Sequence, residues 1–264
     1  MSDTVGAPMG TVLITGCSSG FGLETARYFL DRQWAVVATM RNPREDLLPK
    51  SDRLRIVPLD VTDDESIVRV VAEAGDIDVL VNNAGVGMVN ALEGVSMKQV
   101  REVIDTNTIG VIAMTKAVLP QFRARGSGVI VNVSSGVTMR VPQLMSIYAA
   151  SKAAMNTFTE ALALELEPFG IRTRLIIPGR SPAPDTAFSE NVVARMGRDI
   201  PEPYAEMAQR MLTGMQGQPA ENITRAIDVA EAVWRAVADP SCPMYLPAGR
   251  QWAASGVGRR PVPV

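Results

Sequence analysis

The sequence predicts a doubly wound α/β fold, in which a parallel sheet of about seven strands has helices on both faces. Three observations support this prediction. Short segments that are apolar throughout alternate with longer segments of helical periodicity, a glycine-rich turn joins the first strand to the first helix, and no internal repeat or low-complexity linker divides the 264 residues. Such strands belong in sheets that are buried on both faces, and right-handed crossovers place helices on both sides.

The first half of the chain contains four predicted strands. Each is a short, mostly apolar run, and they cover Thr11–Thr15, Trp34–Thr39, Arg55–Val61 and Asp78–Gly85. The segments between them predict helices at Gly20–Arg32 and Asp63–Ala74. In the first of these helices, apolar side chains such as Leu23, Ala26 and Leu30 recur at helical spacing.

The second half continues the same alternation. Ser96–Arg125 predicts one or two helices, and strands are predicted at Gly128–Ser135 and Ile171–Gly179 around a long helix at Ile147–Phe169. Helix-forming sequence follows from about Asp185 to Met215 and from Ile223 to Ala238, with a last short strand near Pro243–Leu246. We expect one domain over residues 1–264, with flexible ends at about 1–9 and 255–264.

Composition and charge narrow the class of protein. The formal net charge of −2 gives no general attraction to nucleic acid or to an anionic membrane. No run of eighteen apolar residues predicts a transmembrane helix, and the first residues lack the pattern of a secretory signal. The chain has only two cysteines, Cys17 and Cys242, which suits a reducing cytoplasm and predicts no disulfide framework.

The stretch TGCSSGFG (Thr15–Gly22) allows two interpretations. As G-x-S-x-G it is the turn that presents a nucleophilic serine in hydrolases, and as a three-glycine turn between strand and helix it is a cradle for phosphate groups. The chain has no histidine, so Ser18 lacks the imidazole base that a catalytic triad requires. Zinc sites built from histidine or several cysteines are excluded as well, and no tight acidic cluster predicts another metal site.

The phosphate interpretation therefore prevails. Gly16, Gly20 and Gly22 allow main-chain N–H groups to approach a pyrophosphate at the start of the first helix. Ser18, Ser19 and Phe21 are the loop residues expected to lie near those phosphates.

Further motifs extend this interpretation along residues 10 to 250, in the order that the short-chain dehydrogenase/reductase family shows. The spacing T-G-x-x-x-G-x-G resembles that family's loop, and NNAG (Asn82–Gly85) and YAASK (Tyr148–Lys152) resemble its other signatures. The resemblance implies a single-domain, Rossmann-like NAD(P)-dependent oxidoreductase. The matching positions are Ser135, thirteen residues before Tyr148, Asn107 in DTNTIG, Asp60 and Val61 in LDV, Asn83, Ala84 and Gly85 in NNAG, and the turn Pro178-Gly179.

The resemblance also assigns roles. Tyr148 is expected to exchange a proton with the substrate oxygen, and Lys152, four residues later, to lower the phenol's pKa and to bind the nicotinamide ribose. Ser135 is expected to hold the substrate oxygen, with its neighbour Ser134 as the alternative. Asn107 is expected to hold a water that links Lys152 to solvent, Asp60 to face the adenine, and Pro178-Gly179 to lie under the nicotinamide.

The end of the second strand predicts which nicotinamide is bound. NAD usually requires an acidic residue there, for the ribose 2′-hydroxyl. This chain has Met40 followed by Arg41, and an arginine can meet a 2′-phosphate with two hydrogen bonds. We therefore expect NADP(H), with Arg44 as a second candidate contact.

The loop after Gly179 departs from the family pattern, which often places a threonine about four residues on. The run PGRSPAPDTAF offers Ser181 or Thr186 for the contact with the cofactor amide, and the sequence does not choose between them. We expect residues 181–215 to form a substrate lid, and Met207, Met211 and Met215 there line either the pocket or a packing face. A mainly apolar substrate wall is predicted from Met88, Val137, Met139, Leu144, Phe188 and Tyr204.

The resulting hypothesis is an NADP(H)-dependent enzyme that interconverts a carbonyl and an alcohol on a small or medium, mainly apolar molecule. The alternative is a non-catalytic protein that senses NADP(H). The resemblance implies a homodimer or homotetramer, since in the family the helices corresponding to Ser96–Arg125 and Ile147–Phe169 form a dimer interface.

Overall fold

Seven parallel strands form one sheet at the centre of the computed structural model, which describes residues 9–181, 186, 192, 200–216 and 223–249. In chain order the strands are β1 (Thr11–Ile14), β2 (Ala35–Met40), β3 (Leu54–Pro58), β4 (Val79–Asn82), β5 (Gly128–Val133), β6 (Ile171–Pro178) and β7 (Tyr245–Ala248). The spatial order is β3-β2-β1-β4-β5-β6-β7, so the direction of winding reverses between β1 and β4. The predicted doubly wound α/β fold is confirmed.

The helices lie on both faces of this sheet. They are α1 (Gly20–Leu30), α2 (Asp64–Ala74), α3 (Met97–Ile104), α4 (Gly110–Arg125), α5 (Ser146–Leu166), α6 (Ala205–Gln216) and α7 (Ala226–Ala238). A π-helical turn at Asp105–Ile109 separates α3 from α4, so the predicted segment Ser96–Arg125 is two helices. No helix in the described ranges combines the length and the apolar character needed to cross a membrane.

Local sequence sets several helix ends. Ser96 begins α3 with a capping box, in which its Oγ accepts from Gln99 N at 3.3 Å and its N donates to Gln99 Oε1 at 3.0 Å. Asp63 caps α2 by accepting from Glu65 N at 3.0 Å. Gly126 ends α4 with φ of 69°, a conformation that glycine adopts without steric cost.

The core has one layer on each face of the sheet. Val12 and Ile14 of β1 pack with Phe29 of α1 and Val233 of α7, whereas Leu13, between them, packs with Met114 of α4 on the opposite face. Alternate residues of a strand point to opposite faces of the sheet, so a strand whose side chains are apolar on both sides is buried on both faces. This explains why the strands could be recognised as uninterrupted apolar runs.

The remaining differences from the sequence prediction are at element ends. The last strand lies at Tyr245–Ala248, two residues beyond the predicted Pro243–Leu246, and the last helix begins at Ala226. The predicted helix over residues 185–215 falls partly outside the described residues, and its described part is α6 with the short 3-10 turn Glu202–Tyr204 before it.

Candidate active site

A cleft of about 660 Å³ lies at the carboxyl ends of the strands, around the point where the sheet order reverses. Doubly wound sheets bind their ligands in this crevice. Most of the sequence-predicted site residues line it: Gly16, Ser18, Ser19, Phe21, Arg41, Asp60, Val61, Asn83, Ala84, Gly85, Ser135, Tyr148, Lys152, Pro178 and Gly179. The fold thus brings together segments that follow β1, β2, β3, β4, β5 and β6.

Gly20, Gly22 and Asn107 do not line the cleft. The glycines of this loop allow its main chain to pack closely against neighbouring segments. Gly16 has φ of +76°, and a Cβ there would lie 2.8 Å from Ala84 Cα. A Cβ on Gly22 would collide with the main-chain oxygen of Gly16 and the side chain of Asn83. The loop therefore lies against the turn after β4, with its cleft-facing side formed by Gly16, Ser18 and Ser19.

Asn83 holds this loop in place through its side chain. Its Nδ2 donates to the main-chain oxygens of Thr15 at 2.9 Å and Gly16 at 3.0 Å. The hydroxyl oxygen of Thr15 accepts from Asn83 N and Ala84 N, both at 2.9 Å. The residues of the two motifs, TG and NNAG, thus fix each other.

Ser135 and Tyr148 are hydrogen-bonded across the cleft. Tyr148 is only 4% exposed, and this burial raises the pKa of its phenol to about 12, although the hydrogen bond with Ser135 lowers it in part. The hydroxyl of Ser134 is bonded elsewhere, since its Oγ donates to Asn156 Oδ1 at 2.6 Å. Of the two serines considered from the sequence, Ser135 is therefore the one beside the phenol.

Lys152 lies one turn after Tyr148 on α5, and it is also only 4% exposed. Its Nζ donates to the main-chain oxygen of Val133 at 2.9 Å, and burial lowers the pKa of the ammonium to about 8. The sequence predicted that this charge would lower the pKa of Tyr148. In the structure the opposite direction holds, because loss of hydration of the phenolate is the largest influence on that phenol.

Asn107 is fully buried in the π-helical turn and connects the loop after β4 to α5. Its Oδ1 accepts from Val86 N at 2.8 Å, and its Nδ2 donates to Val86 O at 2.8 Å and to Ser151 Oγ at 3.0 Å. Both N–H groups of the amide therefore have protein partners. This side chain fixes the segment around Gly85 and Val86, and a role in holding water stays a prediction.

At the other end of the cleft, Arg41 is exposed beside Asp60. Partial burial opposes ionisation of Asp60, but hydrogen bonds from Thr62 and the charge of Arg41 lower the pKa of the carboxyl overall. Thr62 donates to Asp60 Oδ1 from its N at 2.9 Å and from its Oγ1 at 2.7 Å. Arg44 does not line the cleft and is paired with Asp46, with Nη2 and Oδ2 2.7 Å apart.

Ser181 and Thr186, between which the sequence did not choose, are both buried and both line the cleft. A Cβ on Gly20 would lie 2.6 Å from Thr186 Oγ1, so Thr186 packs on the glycine loop. Among described residues, the predicted apolar wall of Met88, Val137, Met139, Leu144 and Tyr204 does not line this cleft, and Phe188 lies outside the described residues. Of the lid stripe, Met207 and Met211 are half-buried, and the side chain of Met215 lies outside the description.

Several lining residues were not identified as site residues from the sequence. They are Leu59, Thr62, Val86, Gly87, Glu102, Asp105, Thr106 and Val133. Met40 and Ser134, which the sequence analysis did consider, also line the cleft. Val86 and Gly87 directly follow NNAG and could have been included with it. Asp105 and Thr106 lie three and four residues after Glu102, which is one helical turn, but the sequence does not show that the end of α3 faces a cleft.

The family model described as short chain dehydrogenase matches residues 10–193 of this chain. A 3-ketodihydrosphingosine reductase from Bacteroides thetaiotaomicron is 36% identical over 225 residues, which cover 83% of this chain and 75% of that protein. Retinol dehydrogenase 8 from Bos taurus is 42% identical over 181 residues, covering 64% of this chain and 58% of the relative. The chain thus spans little more than half of the second relative.

Solved structures show the same fold. A short-chain dehydrogenase from Streptomyces avermitilis has a TM-score of 0.75 and 31% identity, with 92% of this chain and 89% of that chain covered. One from Burkholderia cenocepacia, in complex with NADP, has a TM-score of 0.73 and 26% identity, with 95% and 93% covered. One from Burkholderia phymatum, in complex with NAD, has a TM-score of 0.79 and 24% identity, with 96% and 92% covered, which shows the shared fold alone.

Proposed function

The chain belongs to the short-chain dehydrogenase family, and we propose that it is an NADP(H)-dependent oxidoreductase that interconverts a carbonyl and an alcohol. One observation carries the proposal: Ser135 is hydrogen-bonded to Tyr148, with the buried ammonium of Lys152 one helical turn away. A protein that only senses a cofactor has no need of a buried proton donor at this end of the cleft.

The residues around the glycine loop fit a dinucleotide. Gly16 and Gly22 occupy positions where a Cβ would collide with the loop itself or with the neighbouring turn, so the loop packs closely there, and Gly16, Ser18 and Ser19 line the cleft. Ser19, which precedes α1, makes no side-chain capping hydrogen bond, and the first turn of α1 contains no acidic residue. The N–H groups and the positive end of the helix dipole can therefore receive a pyrophosphate.

Arg41 supports NADP(H) over NAD(H). It is exposed at the cleft, directly after β2, and Arg44 is already paired with Asp46. A guanidinium can make two hydrogen bonds to a 2′-phosphate, and the strand end has Met40 in place of an acidic residue that would bind a 2′-hydroxyl. The solved relatives include one NADP complex and one NAD complex, so the choice rests on Arg41 and Met40.

When bound, the nicotinamide supplies or accepts the hydride in this chemistry. Tyr148 donates a proton to the carbonyl oxygen during reduction and takes it back during oxidation. The Ser135 hydroxyl lies beside that phenol, and when substrate binds its single proton turns to the substrate oxygen and fixes its position. Lys152 is proposed to support the transfer by placing its positive charge beside the phenolate that forms. Loss of hydration nevertheless remains the largest influence on the pKa of this phenol.

The proposed substrate is small or medium-sized and mainly apolar. The names of the two relatives mention 3-ketodihydrosphingosine and retinol, which are both largely apolar molecules. Half-buried Met207 and Met211 belong to the segment expected to form the substrate lid, and methionine adapts readily to varied apolar shapes.

We further propose that the protein assembles as a homodimer or homotetramer in the cytoplasm. The exposed side of α5 consists largely of small or apolar side chains, at Ala150, Ala153, Ala154, Ala161 and Leu164. Such a face allows close approach of a second helix pair. The two cysteines are free and buried, as is usual for a protein of a reducing compartment.

A substrate screen tests the proposed activity. The purified protein is incubated with NADPH or NADH and a panel of apolar ketones, aldehydes and alcohols, and the absorbance of the reduced cofactor is followed. We expect turnover of some members with NADPH, and a rate lower by about 10²–10⁴ with Tyr148→Phe under the same conditions. Tight NADPH binding without turnover of any compound would replace this proposal with a cofactor sensor.

A further inference from the structure

Asn156 connects both flanks of Ser135 to helix α5. It lies one turn after Lys152 and two turns after Tyr148 on the same side of that helix, and it is 6% exposed. Ser134 Oγ donates to its Oδ1 at 2.6 Å, and its Nδ2 donates to Thr138 Oγ1 at 3.1 Å. A single carboxamide thus bonds to the residue before Ser135 and to the turn after it.

The chain of hydrogen bonds ends on Ser135 itself. Thr138 Oγ1 donates to the main-chain oxygen of Ser135 at 2.9 Å. A carbonyl oxygen can only accept, so the single proton of the Thr138 hydroxyl is used there. Thr138 must then accept from Asn156, which fixes Nδ2 toward Thr138 and leaves Oδ1 to accept from Ser134.

Ser135 benefits from such support because, beside its bond to Tyr148, the local hydrogen bond of its hydroxyl is long. It begins a 3-10 turn of three residues, Gly136–Thr138, and its Oγ accepts from Val137 N at 3.4 Å, a long hydrogen bond. Catalytic groups lose much of their effect when they move by about 1 Å. The bonds through Asn156 hold the turn on the helix that also bears Tyr148 and Lys152.

We propose that Asn156 is a positioning residue, which orients Ser135 toward Tyr148 and the substrate oxygen. This inference rests on the proposed function. It assigns a role in catalysis to a residue that does not line the cleft.

A double-mutant cycle tests the proposal. Asn156→Ala and Thr138→Val each remove a hydrogen bond between α5 and the turn after Ser135. Each is expected to lower kcat by about 10- to 100-fold with little change in NADPH affinity. In a Ser135→Ala background, either change should have almost no further effect on kcat, because the group that it positions is absent. If the single effects multiply instead, Asn156 does not act through Ser135.

Thr159→Val is the matched control. Thr159 lies on the same helix and is fully buried, where it accepts from Asn132 Nδ2 at 2.8 Å and donates to Met155 O at 2.7 Å. Its substitution should lower the melting temperature about as much as Asn156→Ala and leave kcat nearly unchanged. An equal loss of kcat in the control would mean that general destabilisation explains the result.

Amide hydrogen exchange gives a readout that does not depend on turnover. The N–H groups of Thr138, Met139 and Arg140 donate within the turn after Ser135. Their exchange should become faster in Asn156→Ala and Thr138→Val but not in Thr159→Val. If the wild type turns over no compound, the proposed function fails while this measurement still decides whether Asn156 holds the turn; unchanged exchange would refute the inference.

Discussion

The ammonium group of Lys152 donates to the main-chain oxygen of Val133 at 2.9 Å, so α5 is bonded to the last residue of β5. Ser134 and Ser135 follow that residue directly. The lysine thus connects the helix that bears Tyr148 to the strand end that bears Ser135. The connection requires a buried charge, and burial lowers the pKa of Lys152 from 10.5 to about 8.

The first prediction concerns stability and pH. A lowering of 2.5 in pKa corresponds to about 3 kcal/mol. The loss of the hydrogen bond to Val133 offsets part of this, so Lys152→Met should raise the free energy of unfolding by about 1–2 kcal/mol at pH 7. The same variant should bind NADPH more weakly, since the resemblance assigns the ribose contact to Lys152.

The pH dependence distinguishes this cause from better packing. Below pH 8 both folded and unfolded wild type hold the proton on Lys152, so the folded state has the full cost of burial. Between pH 8 and 10.5 the unfolded state binds more protons, and wild-type stability rises relative to the variant. Urea unfolding at several pH values should show the gap narrowing, and a constant gap would contradict the explanation.

The second prediction concerns proton transfer. Tyr148→Phe keeps the ring and removes the hydroxyl, so the fold and NADPH binding should persist while kcat falls by about 10²–10⁴. Tyr245→Phe is the control, because Tyr245 is equally buried but its hydroxyl bonds to Glu160, outside the cleft. Steady-state kinetics gives kcat for both variants. Similar kcat values for Tyr148→Phe and Tyr245→Phe would exclude Tyr148 as the proton donor.

The third prediction concerns cofactor choice. Arg41→Ala should weaken NADPH binding by about 10- to 100-fold, equivalent to the roughly 1.5–3 kcal/mol of one charge-assisted contact, and leave NADH binding nearly unchanged. Arg44→Ala should change neither, since Arg44 is paired with Asp46 and does not line the cleft. Fluorescence titration with both cofactors measures this. Normal NADPH affinity in Arg41→Ala would rule out the assignment.

The fourth prediction concerns assembly. Light scattering should give a dimer or tetramer of the 28.3 kDa chain, with about 1,200 Å² or more buried per interface. Leu164→Glu, on the exposed side of α5, should dissociate it, whereas Val68→Glu on α2 should not. Both wild-type side chains are exposed, at 55% and 66%. A wild-type monomer at micromolar concentration would contradict the proposal.

Much of the fold could be predicted because its signals are local. Segments such as Thr11–Thr15 and Trp34–Thr39 are apolar except for threonines at their ends, and the glycines of TGCSSGFG stand between a strand and a helix. The spacing of Ser135, Tyr148 and Lys152 can also be read directly from the sequence. The four residues from Tyr148 to Lys152 correspond to one helical turn. Helix ends and the final strand were placed less well, since capping and edge pairing depend on contacts made after the chain folds.

The sequence by itself determined the doubly wound sheet, the glycine loop and the residues gathered at its carboxyl edge. Only the tertiary structure decided that Ser135 and not Ser134 meets Tyr148, that Asn107 bonds to Val86 and Ser151, and that Asn156 holds the serine turn. It also reversed the expected direction of the pKa of Tyr148. The physical reason is that hydrogen-bond direction and loss of hydration depend on which atoms surround a group, and those atoms come from segments far apart in the chain.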